Sequence, residues 1–136
     1  MKQILTAAAV AAACSAVRRR VESPDFTPRR WGGAEVRPMH NYGAAFSLPI
    51  PAGAVPALSA LALAAASSLG RAAPVAAGLI LGGGASNLWE RLERGRVCDY
   101  LRFPGAPGPL GRYVYNLADL AVFAGAAGLL LSGKRE

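Results

Sequence analysis

Histidine occurs once in this 136-residue chain, at His40, and cysteine twice, at Cys14 and Cys98. That scarcity closes several routes to function. A Ser-His-Asp site would have to use His40, and no serine motif accompanies it. No spacing of Cys and His forms a metal-binding pattern, so no metal is expected. Two cysteines do not make a disulfide framework; Cys14 lies in an apolar run and Cys98 stands beside Asp99. Acidic residues are also few, 8 against 15 basic, for a net charge of +7. Such an excess can attract nucleic acid. The arginines, however, sit between apolar runs, where phospholipid headgroups are the fitting counter-ions, and no nucleic-acid partner is expected.

What the chain has in quantity is apolar sequence. Hydrophobic residues make up 53% of it and gather into long runs of Ala, Leu, Val and Gly rather than short amphipathic periods. A bilayer-spanning helix needs roughly 20 apolar residues. The runs at 52–69, 72–89 and 113–132 meet that length. The run at 4–17 is shorter and reads as an uncleaved first span rather than a signal peptide. The expected fold class is therefore an all-α integral membrane protein. One membrane-embedded domain over 1–136 would hold a bundle of four transmembrane helices. Residues 18–38, basic and proline-bearing without periodicity, read as an extra-membrane loop. Gly70 and Arg71 read as a tight turn that makes spans two and three antiparallel. Gly82-Gly83-Gly84 and the 124–128 stretch suit close helix packing.

Asp99 and Asp119 each stand at the edge of an apolar run. An ionisable group at such a place costs a few kcal/mol and so points to a task. One loop joins the third and fourth spans, so the end of one and the start of the other share a membrane face, with Asp99 in the loop between. Asn116 and Asp119, three apart, share a helical face, and so do Asn87 and Arg91, four apart. Counting crossings puts Asn41 on the same side. Six polar residues thus converge: Asn41, Asn87, Arg91, Asp99, Asn116 and Asp119. Two neighbouring carboxyls do not both ionise cheaply; one keeps a proton and the pair titrates jointly. The ionised member can deprotonate water while its partner hydrogen-bonds a scissile carbonyl, the chemistry of an aspartic protease. The plainer reading of each aspartate is a helix cap or a partner for a loop arginine. A proton path through a channel or transporter is a third.

Four ordered stretches resemble one family, the bacterial lipoprotein signal peptidases (signal peptidase II). His40-Asn41-Tyr42-Gly43-Ala44-Ala45-Phe46-Ser47 resembles its Asn-x-Gly-Ala-Ala-Phe-Ser stretch. Gly83-Gly84-Ala85-Ser86-Asn87-Leu88-Trp89-Glu90-Arg91 resembles its Gly-Gly-Ala-x-Gly-Asn-x-x-Asp-Arg block. Gly95-Arg96-Val97-Cys98-Asp99-Tyr100 is similar to Gly-x-Val-x-Asp-Phe, and Tyr115-Asn116-Leu117-Ala118-Asp119 to Phe-Asn-x-Ala-Asp. The resemblance implies an endopeptidase that removes the signal peptide from diacylglyceryl-modified prolipoproteins, cutting before the lipidated cysteine. Asp99 and Asp119 would be the catalytic dyad, with Asn41, Asn87, Arg91 and Asn116 lining the site. It further implies four transmembrane helices, a small extracytoplasmic β-rich element, a site near the outer face of the inner membrane, and no cofactor. A monomer is expected, in contact with lipid-modified substrate and membrane phospholipid.

This chain departs from the family pattern in two places. Glu90 stands where Asp is usual, and Arg18-Arg19-Arg20 replaces an Asp-Gln-x-x-Lys-type stretch. These departures admit an alternative, a catalytically weakened member that binds lipopeptides or peptide inhibitors without turnover. The family orientation would also place eleven basic residues outside and four inside, against the positive-inside tendency. The motif order outweighs that statistical rule.

Overall fold

The computed structural model describes residues 1–43, 50–68, 70 and 72–133. Four long helices and one small sheet carry the architecture. Helix α1 spans Lys2–Val21, α2 Val55–Ser68, α3 Pro74–Arg94 and α5 Leu117–Gly133; α4 is a single turn at Pro109–Arg112. Strands β1 (Arg29–Trp31), β2 (Ala34–Asn41) and β3 (Val97–Arg102) form an antiparallel sheet in the order β1-β2-β3.

Helix α3 is the hub: α1, α2 and α5 all pack on it. Its three consecutive glycines show how. Successive residues on a helix are turned by roughly 100°, so Gly82, Gly83 and Gly84 face three different neighbours. A Cβ on Gly82 would lie 2.6 Å from the Ala7 carbonyl oxygen of α1 and 2.7 Å from Val10 Cβ. One on Gly83 would collide with the Ala118 carbonyl of α5, and one on Gly84 would meet Leu63 of α2 at 2.6 Å. Gly125 repeats the arrangement from the α5 side, against Ala76 and Ile80. Small residues allow backbones to approach this closely, and dispersion between them supplies the attraction.

Each of the four runs expected to span contains a helix, but residues 113–116 precede α5 and 52–54 form a 3-10 turn before α2, so two helices begin later than expected, and their reach is not what the apolar lengths imply. No helix among the described residues is both long and apolar enough to cross a membrane. Helix α2 has 14 residues, about 21 Å at 1.5 Å per residue against a hydrocarbon core of about 30 Å. Helices α1 and α3 are longer but end in charge, with Arg18, Arg19 and Arg20 in the last turn of one and Arg91 and Arg94 in that of the other. Those cations sit at the negative end of the helix dipole, where they are stabilising.

The reading of residues 18–38 as a loop is corrected. Helix α1 runs on to Val21, and β1 and β2 form a hairpin whose two-residue connection uses Gly32 at φ +53°. Strand pairing was hidden because β1 is wholly exposed and β2 is at most half-buried, which leaves no apolar alternation. Pro38 lies where the β2–β3 register shifts, between Val36 and Met39, a place that tolerates a missing N–H. Asp99 is likewise not in a loop but in β3, paired with Met39. Helix α3 ends on Gly95 at φ +70°, whose N–H bonds to Arg91 O, and β3 begins two residues later. Leu69, Arg71, residues 44–49 (including Ala44, Ala45, Phe46 and Ser47 of the first motif), Lys134 and Arg135 lie outside the described residues.

Candidate active site

The start of α5 fixes the first carboxylate. Asn116 precedes the helix and accepts the Asp119 N–H on its side-chain oxygen at 2.9 Å, while Asp119 Oδ2 accepts the Asn116 N–H at 2.9 Å. This reciprocal capping satisfies two backbone donors that the helix leaves without partners. It also holds Asp119 in one orientation, with Oδ1 free to accept from Asn87 Nδ2 at 3.0 Å.

Asn116 then joins the two acids. Its side-chain amide donates to Asp99 Oδ1 and to Asn87 Oδ1, both at 3.0 Å. The remaining oxygen of Asp99 accepts from Asn41 Nδ2 at 3.2 Å. One buried asparagine therefore touches both carboxylates, and Asn87 closes the ring behind it. The start of α5 is docked onto β3 by backbone bonds: Leu101 N–H donates to Tyr115 O at 2.7 Å and Tyr115 N–H to Leu101 O at 2.8 Å. The Tyr100 hydroxyl accepts the Leu117 N–H at 2.9 Å. Arg91 contacts neither acid directly; it donates to Gly43 O at 3.3 Å.

Burial pushes the Asp99 carboxyl up to about 7, and the Asp119 charge pushes it the same way. The Asn41 hydrogen bond and the Arg91 charge pull it back. The result is an acid near the middle of its titration at neutral pH, which suits a group that must both give and take a proton.

Both aspartates open into a cavity of ≈ 670 Å³. Its polar wall includes His40, Asn41, Asn87, Arg91, Asp99 and Asp119; its apolar wall includes Leu58, Ala62 and Leu63 of α2 and Val122 of α5. Asn116 is not on the surface of this cavity but behind it, 5% exposed. An extended peptide could lie along the polar wall with apolar groups against α2. All six residues expected to converge are in one place, five on the cavity wall and Asn116 behind it, bonded to Asn87, Asp99 and Asp119.

The sequence profile described as Signal peptidase (SPase) II matches residues 8–133. The chain belongs to the signal peptidase II family. Within this family it is 42% identical over 90 residues to the lipoprotein signal peptidase of Nitrobacter hamburgensis, 65% of this chain and 53% of that protein. It is 35% identical over 108 residues to that of Alteromonas mediterranea, 68% and 57%. The chain thus spans little more than half the length of these curated relatives. Two solved bacterial membrane enzymes share its fold at 16% identity, with TM-scores of 0.79 and 0.83. They cover 96% and 98% of this chain and 90% and 87% of their own.

The two departures from the family pattern meet each other. Glu90, 5% exposed, accepts from Arg18 Nη1 at 3.0 Å and from the Cys98 backbone N–H. Arg94 stands 3.9 Å away on the same helix. The longer arm of Glu90 thus reaches both the strand that carries Asp99 and the first arginine of the replaced stretch. Read singly, each looks like a loss. Their pairing lies 72 positions apart, beyond any local pattern.

Proposed function

We propose that this chain is an aspartic endopeptidase that removes the signal peptide from diacylglyceryl-modified prolipoproteins, with Asp99 and Asp119 as its catalytic dyad. The observation that carries the reading is Asn116, whose amide and backbone touch both carboxylates within 3.0 Å. One member of the pair takes a proton from water as the water oxygen attacks the scissile carbonyl. The other donates a hydrogen bond to the carbonyl oxygen as charge develops there. Collapse of the tetrahedral species breaks the C–N bond, with the proton passing to the leaving amine at the cysteine side. The chemistry needs no metal or organic cofactor. Asn41, Asn87 and Asn116 hold the acids, and Arg91 faces the cavity as a cation for the substrate backbone.

The whole chain acts as one peptidase domain, as a monomer in the bacterial inner membrane. Exposed apolar side chains of α2 and α5, among them Leu58, Leu61, Leu130 and Leu131, suit acyl chains better than water. The sheet then caps the bundle on the extracytoplasmic side, and the substrate's acyl chains lie against α2.

The test is complementation of a strain lacking its lipoprotein signal peptidase, beside release of signal peptide from a lipid-modified substrate by purified protein. Asp99→Asn and Asp119→Asn should each abolish both, with the folded state retained. Full activity in either variant overturns the dyad.

A further inference from the structure

Strand β3 has two faces, and the aspartates use only one. Side chains alternate across a strand, so Asp99 and its neighbours Met39 and Asn41 turn to the cavity while Cys98 turns away. The β2–β3 register sets His40 directly opposite Cys98. Glu22, which caps the end of α1, comes over the same face, with Oε1 3.4 Å from His40 Nε2. One donor atom from each of Glu22, His40 and Cys98 lies within 4.8 Å of the other two. Carboxylate, imidazole and thiol come from three elements, α1, β2 and β3; His40 also borders the cavity, but none of the three side chains hydrogen-bonds either aspartate.

We propose that Glu22, His40 and Cys98 bind one divalent cation of the zinc class on the face of the sheet turned away from the aspartates. Bonds of about 2.0–2.3 Å in tetrahedral geometry put such donors about 3.4–3.6 Å apart. The present spread closes to that by about an ångström of side-chain movement. Water completes the fourth position, since the donor set is three.

Two carboxylates, Glu22 and Glu90, act on the Cys98 thiol, and the Arg94 cation pairs with both. Burial pushes the Cys98 thiol up to about 12, and the Glu22 and Glu90 charges add to it. A metal ion reverses that balance: the thiol proton passes to solvent water and the thiolate binds. Burial also raises Glu22, but the Arg94 hydrogen bonds and charge outweigh it and hold the carboxyl below its usual range. Glu22 is therefore ionised. Arg94 now occupies both its oxygens, at 2.9 and 3.0 Å. Glu90, 3.9 Å from Arg94, offers the guanidinium a second carboxylate when the cation takes Glu22. Because Asp99 follows Cys98 in β3, an occupied site tethers the strand that carries one member of the dyad to the end of α1.

The experiment uses the full chain purified in detergent and titrated with Zn²⁺ and with Co²⁺. One equivalent of Zn²⁺ should bind and raise the thermal midpoint. Co²⁺ should give a near-ultraviolet thiolate-to-metal charge-transfer band. Cys98→Ser should lose that band, whereas Cys14→Ser, which removes the other thiol, should keep it. His40→Ala, at a half-exposed side chain, and Glu22→Gln keep the buried thiol and should weaken binding about tenfold or more. A Co²⁺ spectrum without the thiolate band in the wild type, or unchanged Zn²⁺ affinity in both His40→Ala and Glu22→Gln, overturns the proposal.

Discussion

Removing the Arg18 guanidinium strands Glu90, and the cost of doing so can be worked from its surroundings. Stranding one charge of a buried pair costs about 3–5 kcal/mol when nothing else holds it. Glu90 is only 5% exposed, but it keeps the Cys98 N–H and has Arg94 at 3.9 Å. Arg18→Met should therefore cost about 2–3 kcal/mol, below the fully stranded case. Glu90→Gln removes the charge while keeping an acceptor for the Cys98 N–H, and leaves Arg18, 18% exposed, able to reach water. That change should cost about 1 kcal/mol, the scale of one net hydrogen bond. In the double variant no charge is stranded. It should be more stable than Arg18→Met alone, with a coupling energy of about 2 kcal/mol. Denaturant unfolding in detergent micelles, followed by tryptophan fluorescence, measures all four corners of the cycle. If the two changes add within about 0.5 kcal/mol, or Arg18→Met leaves the midpoint unmoved, Arg18 and Glu90 are not a pair and the compensation argument fails.

Two further outcomes follow from the same geometry. Asp99 is raised from 3.8 to about 7 in the folded protein, so between those values the folded state binds more protons than the unfolded one. Stability should therefore fall as pH rises from about 4 to about 7 and level off above, and Asp99→Asn should flatten that slope in a pH series of unfolding midpoints. Gly82→Ala forces a methyl against the Ala7 backbone and should cost about 1–3 kcal/mol. Gly84→Ala meets only the movable end of Leu63 and should cost less; equal midpoints for the two would contradict the close approach of α1 to α3.

By itself the sequence determined that four helices form and roughly where, because in a lipid setting long Ala, Leu and Gly runs can satisfy their backbone only within a helix. It also determined which six polar residues meet, since connectivity alone returns 41, 87, 91, 99, 116 and 119 to one end of the bundle. The Asn116–Asp119 reciprocal cap is a local pattern and so was readable as two residues on one face, though not as a cap. Tertiary structure alone decided the rest. Strands β1 to β3 carry almost no alternation of their own, because β1 is exposed on both faces, β2 is partly buried without a regular period and β3 begins with four residues buried on both faces, so pairing defines them. The Glu90–Arg18 pair and the Glu22, His40 and Cys98 cluster join residues 18 to 76 positions apart. Interactions of that range depend on where whole elements dock, and no local pattern of apolar and polar residues encodes a docking angle.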